Sequence, residues 1–227
     1  MTEAEWLACG DIRTLLEYMT GRAGSRKFRL FGCACCRRIW HLLDERCRHA
    51  VAVAEWYADG LAADAEVEAA RREVNACCNE TALTPGLPAM YSWAYSAARL
   101  VLFDTPFWKP NAAEQWAFGA AWTAAEAAWR HDGGDGPAGE ARHQLALLRD
   151  VFENPYQPGW VDPTVLTPTV VSLARTIYEA RAFDRLPALA DALHAAGCED
   201  EAVLSHCRSE GPHVLGCWAV DLVLGNE

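Results

Sequence analysis

The sequence predicts an all-α protein, a multi-helix bundle of about nine to ten helices built on a 3.6-residue apolar period. Alanine dominates an apolar share of 52%, and alanine has the highest helix propensity of all residues. Glycine and proline occur mostly between the periodic stretches, and no segment alternates apolar and polar residues as a half-buried strand does. The 227 residues are enough for one large or two small domains.

Residues that cap or stop helices delimit the first four helices. A Ser, Thr or Asp side chain at a helix start accepts a hydrogen bond from the first turn, and Gly favours the backbone conformation that ends a helix. Thr2 with Glu5 has the form of a capping box. The other predicted starts are Asp11, Ser25 and Asp44, and the predicted stops are Gly21 and Asp59-Gly60.

Periodic stretches separated by Gly- and Pro-rich segments predict the remaining helices. They cover residues 63–83, 90–103, 112–130, 140–152, 170–182, 186–196, 200–207 and 213–224. The stretch HDGGDGPAG at 131–139 is the one plausible flexible linker. It divides the chain into an N-terminal helical domain, 1–131, and a C-terminal helical domain, 140–227. We expect the two halves to dock through aromatic helices, since ten tryptophans need covering.

The ten cysteines predict a compartment in which thiols stay reduced. The N-terminal stretch lacks the basic and apolar regions of a signal peptide, and no run reaches the ~18–20 apolar residues of a membrane span. We therefore expect a cytoplasmic chain with no membrane association. Most of the cysteines are then small apolar side chains in the core.

Charge is unevenly distributed along the chain. The net charge of −11 argues against general nucleic-acid affinity, yet residues 22–48 hold eight Arg or Lys and two acidic residues. The leading hypothesis is a non-enzymatic interaction or regulatory module, in which a basic helix face binds an acidic protein partner. A nucleic acid is a less favoured partner for the same stretch. Alternatively, these side chains pair with the protein's own carboxylates. The predicted partner-binding residues are Arg26, Arg37, Arg38 and His41.

Three cysteines lie close together in the stretch FGCACCRRIWHLL. On a helical wheel Cys35 points into the core, whereas Cys33 and Cys36 share a flank as an i, i+3 pair. Core packing is the favoured interpretation, since free cysteine is among the most often buried residues. A metal site is the alternative, and it would need further ligands, for which Cys77 and Cys78 are candidates.

A thiol-dependent enzyme that uses Cys36 or Cys207 is a further alternative. Cys36 precedes Arg37 and Arg38, and positive neighbours lower the pKa of a thiol. The motifs GxGxxG, GxxxxGK[ST], HExxH and GxSxG are all absent. The sequence therefore favours a role without catalysis.

The stretch HCRSEGPHVLGCW predicts a second kind of site, a zinc-stabilised helical domain. On a helix, His213 and Cys217 would lie one turn apart on one face and form half of a zinc site. Asp221 would follow as an acceptor for the outer nitrogen of His213. The alternative is packing alone, because the ligand spacing matches no standard zinc finger. The cofactor is thus either none or zinc, and the predicted ligands are Cys198, His206, His213 and Cys217.

Three stretches carry a resemblance to a known group of proteins: RKFRLFGCACCRRIWHLL, AVAVAEWYADGLA and RAFDRLPALADALHAAGCEDEAVLSHCRSEGPHVLGCWAVDLVLGNE. Together they resemble an uncharacterised paralogous family of planctomycete-type bacterial proteins. The C-terminal stretch, with its AGC…HCR…GPH…GCW…D motif, is the most specific part. The resemblance implies no catalytic residue, and expansion into paralogues implies recognition, signalling or regulation more than core metabolism.

Overall fold

The computed structural model describes residues 1–103, 112–132 and 137–226, and this part of the chain is all helical, without strands. The predicted all-α class is confirmed. The twelve α-helices of the described residues exceed the predicted total of nine to ten, but each of them overlaps one of the helical segments predicted above. They are α1 (Glu3–Ala8), α2 (Ile12–Met19), α3 (Ser25–Arg38), α4 (Glu45–Ala58), α5 (Asp64–Leu83), α6 (Ala89–Leu100), α7 (Ala112–Asp132), α8 (Pro137–Val151), α9 (Pro168–Ala180), α10 (Leu186–Ala195), α11 (Glu201–Arg208) and α12 (Trp218–Leu224).

The predicted helix starts are mostly confirmed by hydrogen bonds from the first turn. Capping side chains accept these bonds at Thr2, Asp11 and Asp44. Ser25 is instead the first residue of α3, which follows Gly24 without a side-chain cap. The prediction of a last helix over 213–224 is wrong in its first turn, since α12 begins only at Trp218.

Buried apolar side chains form two clusters. The first cluster extends from Trp6 to Phe152 and is built by α1 to α8, with α3 packed against α4, α6, α7 and α8. The second cluster extends from Val161 to Val223 and is built mainly by α9 to α12. The buried side chains of α8 lie in the first cluster. Residues 133–136 of the predicted linker lie outside the described residues, so the domain division stays a prediction. No helix among the described residues has the length and apolar character needed to cross a membrane.

A network of charges joins α3, in the first cluster, to α12, in the second. Arg26 donates to both carboxylate oxygens of Asp221, at 2.7 and 3.1 Å, and to Asp59 at 3.0 Å. Lys27 lies 2.5 Å from Asp221, whose side chain is 2% exposed. The hydroxyl of Tyr178, from α9, donates to Asp59 at 2.8 Å. The network therefore neutralises a buried carboxylate with two cations from the opposite cluster.

Glu55 forms a second charged contact between the clusters. Its buried carboxylate accepts bonds from Arg37 at 2.6 and 3.0 Å and from Arg181 at 2.5 and 3.1 Å. Arg37 belongs to α3, whereas Arg181 follows the C-terminal end of α9. Among the described residues, Arg181 is the one non-glycine residue with positive φ, at 53°. This conformation ends α9 and leads the chain away from the helix axis beside Glu55.

Asp221→Ala should lower the free energy of unfolding by about 3–5 kcal/mol, because it leaves two cations without their buried carboxylate. Urea unfolding followed by circular dichroism measures the change. Asp191→Ala is the matched control, since the Asp191 side chain is 75% exposed and its ion pair is with the partly exposed Arg208. The control should cost less than about 1 kcal/mol. Equal costs for the two variants would contradict a structural role for the network.

Candidate metal centre

Four donor atoms from three segments of the chain lie within 4.8 Å of one another. Asp150 comes from the last turn of α8, and His206 comes from α11. His213 and Cys217 come from residues 209–217, which connect α11 to α12. The structure thus brings together three of the four predicted ligands, and the group could hold a metal ion.

A turn, and not the predicted helix, brings His213 and Cys217 together. The amide of Cys217 donates to the carbonyl of Val214 at 2.9 Å, and Gly216 has φ of +88°. A Cβ atom at Gly216 would lie 2.9 Å from Leu30 Cδ1. Glycine is therefore needed at this position for two reasons: it allows the positive φ, and it has no side chain to collide with α3.

The distances between donor atoms resemble the edges of a tetrahedral site. Zinc bonds of ~2.0–2.3 Å place tetrahedral ligand atoms roughly 3.3–3.6 Å apart. His206 Nε2 lies 3.3 Å from Cys217 Sγ and 3.2 Å from Asp150 Oδ1. His213 Nδ1 lies 3.9 Å from the same sulfur and 2.7 Å from the same oxygen. Only the last distance is clearly shorter, and it is a direct hydrogen bond that an ion between the two atoms would replace.

Outer contacts hold two of the four side chains in the orientation that a metal ligand needs. Asp150 Oδ2 accepts a bond from the amide of Val214 at 2.9 Å, so Oδ1 faces the other donors. His213 Nε2 lies 3.3 Å from the carbonyl oxygen of Ser209. A histidine that binds a metal through one nitrogen commonly donates its other N–H to such a carbonyl. Hydrogen bonds on the side away from the group thus fix the orientation of His213 and Asp150, as is usual for metal ligands.

The outer contact of His206 is of the opposite kind. Trp218 Nε1 donates to His206 Nδ1 at 3.1 Å, so a neutral His206 carries its proton on Nε2, inside the group. A metal bond at Nε2 would move that proton to Nδ1, where it would face the indole N–H. The contact between Trp218 and His206 therefore opposes metal binding and must lengthen when an ion is bound.

The electrostatics of the group are set by the buried Asp150, whose side chain is 3% exposed. Burial alone would raise the pKa of Asp150, but the hydrogen bonds from His206 and His213 outweigh it and hold this pKa below its usual value. Burial opposes protonation of His213, yet the bond and charge of Asp150 raise the pKa of this histidine. Without a metal, the group is thus a buried carboxylate paired with imidazole N–H groups.

A catalytic thiol is not what this geometry supports. In a Cys–His–Asp relay, the thiol and the carboxylate contact opposite nitrogens of one imidazole. Here the same nitrogen, His206 Nε2, faces both Cys217 and Asp150. Burial, and then the charge of Asp150, raise the pKa of Cys217 well above its ordinary value, whereas a nucleophilic thiol has a lowered pKa.

Cys198, the fourth predicted ligand, lies outside the group. Its amide donates to the carbonyl of Leu193 at 2.9 Å, and Gly197 has φ of +99°. This turn at the end of α10 directs Cys198 into the second cluster, where it is buried. The predicted contact of Asp221 with His213 is also wrong, since Asp221 pairs with the cations of α3.

Asp150 is the member of this group that sequence reasoning missed. It stands in the stretch LALLRDVF, with Leu147, Leu148, Val151 and Phe152 all buried around it. An acidic residue among core positions of an amphipathic helix is unusual, because a buried charge needs a partner. That pattern was the available signal, but it does not say which segment supplies the partner.

The predicted basic face is engaged in contacts within the chain. Arg26 and Arg37 bind the buried carboxylates described above, and Arg38 binds the carboxylate of Glu140 through two nitrogens. The ring of His41 packs edge-on against that of His131, with centroids 4.8 Å apart. The interaction hypothesis thereby loses the unpaired basic face on which it rested, and it stays a prediction.

All ten cysteines of the chain are free thiols, and eight of them are buried. Burial raises the pKa of Cys33, Cys35 and Cys36 well above the ordinary value and that of Cys207 to about 12. Cys77 is grouped with other residues, Asp44 and Cys47, and not with the cysteines of α3. None of these environments resembles that of an activated thiol.

Comparisons with known proteins add no functional assignment. No protein-family model, curated protein or solved structure matches the chain significantly. The resemblance to planctomycete-type proteins stays a prediction, and function must be inferred from the geometry of the site.

In the folded protein at neutral pH, iodoacetamide should label Cys9 and Cys78 first, since only these two cysteines are partly exposed. The buried thiols should react slowly, because iodoacetamide cannot reach them in the folded protein. Mass spectrometry of tryptic peptides gives the rate at each position, and urea-unfolded protein serves as the fully reactive reference. Faster labelling of Cys36 or Cys207 than of Cys9 would revive the hypothesis of a thiol enzyme.

Proposed function

We propose that this chain is a metal-stabilised helical protein without catalytic activity, in which one Zn²⁺ ion ties the second cluster to α8. The observation that carries the proposal is the convergence of four ligand atoms of the right chemical types, two of them from buried side chains. The proposed ligands are Asp150, His206, His213 and Cys217.

The donor set favours zinc over other common ions. Two imidazoles, one thiolate and one carboxylate are all frequent zinc ligands, and zinc accepts tetrahedral mixtures of them. Mg²⁺ and Ca²⁺ prefer sites made of oxygen atoms, and Cu(I) prefers thiolates and thioethers. Three of the four separations given above also suit a tetrahedral ion of this size. The fourth, between His213 Nδ1 and Asp150 Oδ1, is a hydrogen bond that the ion would replace.

The number and burial of the donors favour a structural role. Catalytic zinc sites keep one position open for water or substrate, whereas structural sites are closed by four protein ligands. The proposed site has four protein donors, and Cys217 and Asp150 are buried. A metal that binds only the folded chain stabilises it by mass action, by about 4 kcal/mol when free zinc exceeds Kd a thousandfold.

The position of the site explains what the metal would do for the fold. Asp150 belongs to a helix of the first cluster, and the other ligands belong to segments that pack in or beside the second. A bound ion would therefore lock residues 209–217 and α11 onto α8. Binding to a protein partner remains compatible with such a scaffold, but the described residues favour no particular partner.

Cys217→Ser and Asp150→Asn should each contain one zinc fewer per chain than the wild type, because each loses a ligand. Elemental analysis of untagged, zinc-equilibrated protein gives the count. Cys207→Ser is the matched control, since Cys207 is equally buried in the second cluster but lies outside the group. A wild-type content below about a tenth of an ion per chain would end the proposal, because a structural ion is retained at high affinity.

Trp218→Phe should strengthen zinc binding by about tenfold, the usual scale of outer-contact effects on metal affinity. The substitution removes the indole N–H that opposes protonation of His206 Nδ1. Competition with a zinc-binding dye measures the affinity. Trp160→Phe is the control, because this substitution makes the same chemical change at an exposed position. Trp160 is 62% exposed. Unchanged or weaker binding in Trp218→Phe would rule out His206 Nε2 as a ligand.

A further inference from the structure

A second group of side chains that could hold a metal ion lies at the N-terminus of α4, away from the site proposed above. Its ligand atoms come from Asp44, Cys47 and Cys77 and lie within 4.8 Å of one another. Asp44 precedes α4, Cys47 is in its first turn, and Cys77 faces them from α5. Both cysteines are fully buried, whereas the Asp44 side chain is 30% exposed.

The two carboxylate oxygens of Asp44 make different contacts. Oδ1 accepts the amide of Cys47 at 2.8 Å, which caps α4 and fixes the carboxylate plane. Oδ2 lies 3.5 Å from Cys77 Sγ, close to the roughly 3.6 Å that separates sulfur and oxygen ligands of tetrahedral zinc. Arg46 touches Oδ2 only at 3.4 Å and binds Glu80 at 2.6 and 3.0 Å. Oδ2 is therefore oriented toward the Cys77 thiol, which donates to it, and is only weakly engaged by Arg46.

We infer that Asp44, Cys47 and Cys77 form a second binding site, for a thiophilic divalent cation such as Zn²⁺ or Cd²⁺. Two thiolates and a carboxylate suit borderline and soft ions. Three protein donors and a partly exposed carboxylate leave one position open to solvent. The second site thus differs from the first in having more sulfur and a more accessible ion.

The two cysteine thiols of this group must lose their protons before they can bind a cation. Burial, and then the nearby Asp44 carboxylate, raise the pKa of Cys77 to about 11. Three negative groups would repel one another at this distance, so the thiols stay protonated until a cation replaces their protons. Sequence reasoning had paired Cys77 with the cysteines of α3, because it could not foresee that α5 packs against α4.

The test counts zinc ions per chain in full-length, reduced protein equilibrated with buffered zinc. The wild type should hold two ions, Cys77→Ser one, and Cys78→Ser two. Cys78 is the control because it is the adjacent cysteine and lies outside the group. Equal counts in the wild type and Cys77→Ser overturn the second site. Cys217→Ser separates the two proposals: it should lose one ion if the first site exists and none if only the second does.

Asp44→Asn tests the second site if Cys77→Ser does not fold. Asparagine is as good a helix cap as aspartate, so α4 is retained while the charged ligand is lost. Cd²⁺ binding is titrated by the ultraviolet absorption of cadmium–thiolate bonds. The affinity of Asp44→Asn should be at least about tenfold weaker than that of the wild type, because the loss of even an outer contact to a metal ligand costs about this much. An affinity equal to that of the wild type overturns the inference.

Discussion

Buried carboxylates between the two clusters are the constraint on which the rest of the structure depends. Glu55, Asp150 and Asp221 are each 3% exposed or less, and a buried charge without a partner costs several kcal/mol. Each of them is bound by groups from the other cluster: Glu55 by Arg181, Asp150 by His206 and His213, and Asp221 by the cations of α3. Any shift of one cluster relative to the other would expose or strand several charges at once. The packing of the two clusters is therefore fixed by directional bonds as well as by apolar burial.

The local features of the fold were predictable from the sequence because they depend on neighbouring residues. Alanine content and apolar period predict helices, and Asp11 or Asp44 caps the helix that follows it wherever that helix packs. The site depends on partners that are distant in sequence, so only part of it could be found. His206, His213 and Cys217 were proposed because they stand close together in the chain. Asp150 could not be assigned to them, since nothing local says that α8 ends beside residues 209–217.

The same limit explains why the helix start predicted at His213 is wrong and why the ion pairs of α3 could not be assigned from the sequence. A spacing of four residues between His213 and Cys217 is compatible with a helix, but Gly216 adopts a positive φ that only a turn uses. A row of Arg and Lys on one helix is compatible with an exposed binding surface. Whether it is exposed depends on where other elements place carboxylates, and here α4, α8 and α12 supply them. Patterns along one helix thus identify the chemical groups but leave their partners open.

Alanine-rich clusters give a physical reason for such directional contacts. Apolar burial stabilises a fold in proportion to the area removed from water, at about 25 cal/mol per Å², and alanine contributes little area per residue. Many core positions of α6 and α7 are alanine, which permits close helix packing but offers few interlocking side chains. Apolar burial is also non-directional, so small and similar side chains specify a packing arrangement weakly. Ion pairs, and a metal where one binds, act on single atoms at fixed distances, and they supply the orientation that a smooth alanine surface does not.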